Sequence, residues 1–191
     1  MSRIDFIILF GKAGAGKDYI FKTICQEHSK VLNPIVSDTT RPPREGEVDG
    51  IHYNFMDTAT FANTKHIETT SYNVADGSTW YYGTPYSAIV EDKINIGVLN
   101  VNGIERIYRN HEEIELHPFL IYAAPKVRLL RQIERISQPN YSEICRRFLA
   151  DEEDFKQINF PFTRINNNTK WELITSIDII ERYIDDLVKM R

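Results

Sequence analysis

The sequence predicts an α/β fold: a three-layer sandwich around a mostly parallel sheet, carrying an antiparallel insert and a helical excursion. Three observations carry this. A β-branched and aromatic run, "IDFIILF", leads directly into the glycine-rich "GKAGAGK", and "DYIFKTICQEH" follows with Ile20, Phe21 and Ile24 at helical spacing. Strand-like and helix-like patterns alternate again from Tyr86 to the end of the chain, as they do when helices cover a parallel sheet. Between these regions, "DTTRPPREGEVDG" is dense in turn residues and is followed by short alternating segments, which marks an insert.

Taken in order, a strand is expected at "NPIVS", a second at the alternating "IHYNF", and a short helix at "FANTK". "HIETTSYNV" and "TWYYG", joined through Asp76 and Gly77, read as a hairpin. Helix is expected at "YSAIVEDK", strand at "IGVLNV", helix at "GIERIYRN", strand at "PFLIYAA" and helix at "KVRLLRQIERI". A charge-dense helix from Tyr141 to Phe155, a short strand "FTRIN" and the amphipathic "WELITSIDIIERYIDDLVKM" complete the chain.

With 191 residues the chain has room for one sizeable core but not for two independent catalytic domains. Its 42% hydrophobic content and net charge of −4 lack the basic balance of a nucleic-acid partner, so any basic site must be local. The apolar run Ile4 to Phe10 is too short to span a bilayer and carries no cleavage-like signal. Cys25 and Cys145 lie far apart, form no metal-ligand pair and read as idle thiols of a reducing cytosol. A cytoplasmic protein, bound neither to membrane nor to nucleic acid, is the expectation.

"GKAGAGK" has the G-x-x-x-x-G-K spacing of a phosphate-binding loop, in the strand–loop–helix context where that spacing has a mechanism. Gly11, Gly14 and Gly16 let the backbone curve into an arc of amide donors, and Lys17 adds a point charge for the outer phosphates of a nucleotide. Gly11, Lys12, Ala13, Gly14, Ala15, Gly16, Lys17 and Asp18 are therefore the candidate cradle for the phosphates of a nucleotide, though the loop alone names no substrate. Asp18 stands where a hydroxyl usually meets Mg²⁺. A carboxylate beside phosphate oxygens is made compatible by a cation between them, so Asp18 is the candidate metal contact.

A second candidate site lies in "SDTTRPPREGEVDGIHYNF". Arg41 and Arg44 flank a Pro-Pro pair that stiffens the backbone, and two planar cations held close can clamp a dianionic phosphate. Neither arginine is expected in the core. This T-T-R-x-P-R-x-G-E-x-x-G segment, followed by Y-x-F, resembles the monophosphate-binding segment of guanylate kinases, and the resemblance extends over nearly the whole chain. It implies that Ser37, Arg41, Arg44, Tyr53, Tyr82 and Thr84 contact GMP, and that Glu68 reads the guanine. A carboxylate suits that task, because guanine presents N1–H and N2–H₂ as adjacent donors where adenine presents an acceptor. It further implies that Asn102 lies on the GMP side, that Asn166 contacts the adenine of ATP, and that lid arginines cover the transferring phosphoryl group. Arg147 matches one of these with Arg146 as its neighbour, while Arg131 and Arg135 compete for the other role.

Three departures from the family pattern stand out: Asp18 itself, Asn100 and Asn102 in place of two acids, and a longer stretch between Glu68 and Tyr82. The loss of two acids in "LNVNG" removes negative charge near the metal that Asp18 could restore.

The resemblance therefore implies a P-loop NTPase sandwich with a core at 1–36, 87–125 and 156–191, a monophosphate-binding insert at 37–86 and a helical lid at 126–155. The activity it implies is transfer of the γ-phosphoryl group of Mg-ATP to GMP or dGMP, by a monomer or homodimer, with Lys17, Arg41, Arg44 and the lid arginines as catalytic candidates. "GKD" also occurs in kinases of other phosphorylated acceptors, such as other deoxynucleoside monophosphates or ribose 1,5-bisphosphate. A non-catalytic binding module of the same shape is the third alternative.

Overall fold

Strand β1 (Ile4–Phe10) runs through the centre of the molecule, and its side chains from Phe6 to Phe10 are fully buried. Buried on both faces, it can be apolar at every position from Phe6 onward and still alternate between two cores: Ile7 and Leu9 join one, and Phe6, Ile8 and Phe10 the other. In this computed structural model, which describes residues 3–44, 46–73, 77–135 and 137–191, the flanking strands are β2 (Leu32–Pro34), β7 (Ile94–Val98), β8 (Ile114–Tyr122) and β9 (Thr163–Asn166). Their order is β2-β7-β1-β8-β9, and every pairing is parallel.

Helices α1 (Lys17–Glu27) and α6 (Lys170–Met190) cover one face through Ile20, Ile24, Ile180, Ile184 and Leu187. Helix α3 (Val101–Asn110) covers the other through Ile104 and Ile107. This is the predicted three-layer sandwich. The chain passes from β7 on one side of β1 to β8 on the other, and such a reversal opens a crevice at the carboxyl ends of the strands.

The insert forms a second sheet in the order β4-β3-β6-β5, from β3 (Asp38–Thr39), β4 (Asn54–Phe55), β5 (His66–Asn73) and β6 (Thr79–Pro85). The predicted hairpin is β5–β6, paired from His66 with Pro85 to Asn73 with Thr79. Its expected turn residue Asp76 lies outside the described residues. β3 and β4 pair in parallel, so the insert is mixed where an antiparallel one was expected. The long arginine-bearing loop between them permits a crossover that a tight turn would not.

Other differences are local. "YSAIVEDK" forms a single 3₁₀ turn, Tyr86–Ala88, instead of a helix. The cause is Asn95, whose fully buried side chain accepts from Val90 N (3.0 Å) and donates to Val90 O (3.1 Å), tying the segment into a turn. In "IHYNF" only the last two residues are strand, because His52 N donates to Val48 O (3.1 Å) and Asp49 Oδ1 accepts from Phe55 N (2.8 Å), closing a turn first. Val101, read as strand, starts α3 because Asn100 caps it by accepting from Gly103 N at 2.7 Å. Helices α2 (Thr58–Asn63), α4 (Pro125–Glu134) and α5 (Tyr141–Asp154) complete the fold. Ile136, the expected end of α4, lies outside the described residues. Among the described residues no helix is long and apolar enough to cross a membrane.

Candidate active site

The loop after β1 turns back under the N-terminus of α1. Gly11 has φ 151° and Gly14 φ 79°, and a Cβ on either would lie 2.3 Å from Ile121 O or 2.6 Å from Arg128 O. Only glycine fits where the loop presses on β8 and α4. Asn167 Nδ2 holds the loop from the far side by donating to Ala15 O at 2.7 Å. Lys17 Nζ donates to Lys12 O (3.4 Å), and burial pulls its pKa below the ordinary lysine value although Asp18 and Asp151 oppose this. Asp18 is exposed on the first turn of α1, within electrostatic reach of Lys17 and the Tyr53 hydroxyl.

One cavity of about 330 Å³ connects the loop with the insert. Gly11, Ala13 and Lys17 line one end, and Ser37, Arg41, Arg44, Tyr53, Glu68, Tyr82 and Asn102 line the remainder. Thr84 stands behind Glu68 and donates from Oγ1 to Glu68 Oε1 at 2.8 Å. Glu68 is buried against the start of α3, where a Cβ on Gly103 would lie 2.8 Å from Oε2. Burial pushes its carboxyl above the usual glutamate range, against the Thr84 hydrogen bond and the Arg106 charge.

Arg41 corrects the expectation of a surface position, because it is only 3% exposed. Glu47 accepts from its Nη1 and Nη2 at 2.8 and 3.0 Å, and the guanidinium lies over the rings of Tyr53 and Phe55 at 5.4 and 5.6 Å. Its buried Nε has no hydrogen-bond partner among the described residues, a donor available to an anion. Glu47 also accepts from Arg44 N at 2.7 Å, so one carboxylate sets the spacing of both arginines. Desolvation first, and then the charges of Arg147 and Arg41, hold the Arg44 guanidinium below its ordinary pKa. Cations converging in this way are stabilised by an anion between them. Burial pushes the Tyr53 hydroxyl up to about 12, so it remains a donor at neutral pH, packed edge-on against Tyr82 at 5.8 Å.

Of the remaining arginines, Arg131 donates from Nη1 to Gly14 O and Ala15 O, each at 3.4 Å, while Arg135 is exposed at the end of α4. Arg146 and Arg147 both donate to Glu143 at 2.7 Å, and these bonds draw the Glu143 carboxyl down to about 2. Arg147 is the one within electrostatic reach of Arg44. Asn166 is exposed just beyond the loop, and its carbonyl accepts from Ser176 Oγ at 2.9 Å. Among the described residues no three His, Cys, Asp or Glu side chains gather as a metal-binding group.

Several residues of the site carry no motif of their own. Tyr72, Asp151, Asp154 and Phe155 line the cavity, and Arg128, 2% exposed, lies under the loop with Nη1 3.5 Å from Ala13 O. Glu47 was visible inside the "RPPREGE" stretch, and its spacing from Arg41 was the available signal.

A strand–loop–helix phosphate cradle at the reversal point of a parallel sheet, facing an arginine-bearing insert across one cavity, defines a P-loop nucleotide-binding protein. The sequence profile "Guanylate kinase" matches residues 3–186, and the chain belongs to the guanylate kinase family. It is similar to the guanylate kinase of Carboxydothermus hydrogenoformans, with 29% identity over 193 residues that cover 95% of this chain and 84% of that one. It is also similar to the guanylate kinase of Synechococcus elongatus, with 40% identity over 91 residues. That match spans about half the length of the cyanobacterial relative, 48% of each chain. The fold is similar to the crystal structure of guanylate kinase from Anaplasma phagocytophilum, with a TM-score of 0.61 and 16% identity over 97% of this chain and 87% of that one.

Proposed function

We propose that the chain is an ATP-dependent guanylate kinase, transferring the γ-phosphoryl group of ATP to GMP or dGMP. The observation that carries this reading is the single cavity in which Lys17 and the loop face Arg41, Arg44 and Glu68. Loop amides and Lys17 hold the donor phosphates, and Arg41 and Arg44, spaced by Glu47, hold the acceptor phosphate in line with them. Tyr53 and Tyr82 wall the acceptor phosphate, while Glu68, set by Thr84, accepts from the guanine donors. Arg147 from α5 and Arg131 from α4 bring positive charge toward the group in transit.

Mg²⁺ bound with ATP would neutralise charge on the outer phosphates. Such an ion takes one or two carboxylates beside phosphate and water oxygens, and the Asp18 carboxylate within electrostatic reach of Lys17 fits that requirement. If Asp18 contributes there, Asp18→Ala lowers activity strongly at limiting Mg²⁺ and less at saturating Mg²⁺, and Asp18→Ser is the better tolerated change. Superimposable Mg²⁺ titrations of wild type and Asp18→Ala would remove Asp18 from the metal site. Small nucleotides as partners and a cytoplasmic location complete the reading.

The deciding experiment is coupled ADP release with Mg-ATP and, in parallel, GMP, dGMP, AMP and ribose 1,5-bisphosphate. Turnover should be highest with a guanine monophosphate. Asp18 favours a kinase of another phosphorylated acceptor, such as another deoxynucleoside monophosphate or ribose 1,5-bisphosphate, as the second candidate, and faster turnover of a non-guanine acceptor overturns the first.

A further inference from the structure

The mouth of the phosphate loop is engaged by a carboxylate of the chain itself. Ala13 N donates to Asp151 Oδ2 at 2.6 Å, a charge-assisted distance for an amide of the loop's arc. Asp151 belongs to α5, its side chain is 19% exposed, and Arg128 Nη1 lies 3.5 Å from the same oxygen. Lys17 is within electrostatic reach. The next residue repeats the pattern, since Glu152 pairs with Lys12 at 2.6 Å and with Arg128 at 2.9 Å. Arg128 is locked between these carboxylates and the Phe148 ring, 4.6 Å from its centroid. Consecutive carboxylates thus meet an amide and the cations of the phosphate cradle.

We propose that Asp151 is a built-in competitor for the donor nucleotide, its carboxylate standing on the loop in place of a phosphate oxygen until the nucleotide displaces it. The proposal rests on the reading that this loop binds the donor. A phosphate group and a carboxylate cannot share one amide donor without two anions in contact, so occupancy is exclusive. Because Asp151 is carried on α5, its displacement also shifts Arg146, Arg147 and the neighbourhood of Arg44. Donor affinity is therefore set partly by α5: if the docked form is favoured tenfold, the apparent Kd for ATP is about tenfold weaker than that of the open loop.

The test is calorimetric binding of a non-hydrolysable ATP analogue with Mg²⁺ to the full chain and to Asp151→Asn, Asp151→Ala and Glu152→Gln, alongside KM for ATP and GMP. Both Asp151 variants should bind the analogue about tenfold more tightly and lower KM for ATP by a similar factor. Glu152→Gln, which keeps Asp151 but loosens its helix, should show a smaller gain in the same direction and serves if the Asp151 variants do not fold. Unchanged or weaker binding in the folded variants overturns the proposal, and weaker binding would make Asp151 a contributor to the loaded site. If wild type and every variant bind no analogue, the donor reading of the loop falls and the proposal with it.

Discussion

Glu68 shows how much one side chain can decide. It is buried, accepts from Thr84, and has the N-terminal backbone of α3 against its second oxygen. Glu68→Gln should raise KM for GMP by about tenfold and leave KM for ATP unchanged, because an amide satisfies only one of two adjacent donors. The raised pKa adds a pH signature. In the free protein the folded state holds the Glu68 proton to higher pH than the unfolded state does, so stability falls as pH rises from the ordinary glutamate value through the raised one. Glu68→Gln removes that cost, and the variant should be at least as resistant to urea as wild type at pH 7. For the same reason KM for GMP should climb on acidification while the pH is still above the ordinary glutamate range, and a flat profile there would place Glu68 outside the acceptor site. Gly11, Lys17, Arg41 and Arg44 were legible because their chemistry demands particular neighbours in sequence, whereas Glu68 was legible only through the family resemblance. Arg128, Asp151 and Asn167 were not, since each meets the loop only through tertiary packing.

Among elements, the long regular ones and the short strand β9 were readable, whereas two segments beside backbone-binding side chains were not. α1, α5 and α6 each repeat one period over many residues and β1 is an unbroken apolar run from Phe6 onward, so the pattern outweighs any single contact. The segments at 51–55 and 86–93 differ from the reading because side chains of Asp49 and Asn95 bond nearby backbone and turn strand-like and helix-like patterns into turns. The turn after β9 makes the same kind of contribution to function. Asn167 joins it to the loop through Ala15 O, while Asn168 Oδ1 accepts from Ala124 N at 2.7 Å, just before α4. Asn167→Ala leaves a buried carbonyl without its donor and should cost about 1–3 kcal/mol in stability. ATP binding should weaken more than GMP binding, because the defect lies under the donor cradle. Equal losses for both nucleotides would mean that the turn supports the cavity as a whole.

At the scale of the whole molecule, the two ends of the chain are clasped at the opposite edge from the site. Asp5 at the start of β1 accepts from Arg191 Nε at 2.8 Å and lies 3.0 Å from His117 Nε2, whose Nδ1 is 2.7 Å from the Tyr183 hydroxyl. One carboxylate therefore joins β1, β8 and α6. Asp5→Ala should lower stability by about 1–3 kcal/mol in urea denaturation while leaving both KM values intact. A change in either KM would show that strain at this edge reaches the loop. At the other end of β1, Phe10 contacts the rings of Phe155, Phe160 and Phe162, with centroids 6.1, 5.4 and 5.7 Å away. Phe155 directly follows α5, so the residue preceding the phosphate loop also anchors one end of that helix. A rod of 14 residues is about 21 Å long, and tilting it about this aromatic pivot by roughly 15° moves the far end by about 5 Å but the position of Asp151 by under about 2 Å. If a nucleotide displaces Asp151 as proposed, the helix would act as a lever, turning a small shift at the loop into a larger one at its far end, where Glu143 holds Arg146 and Arg147.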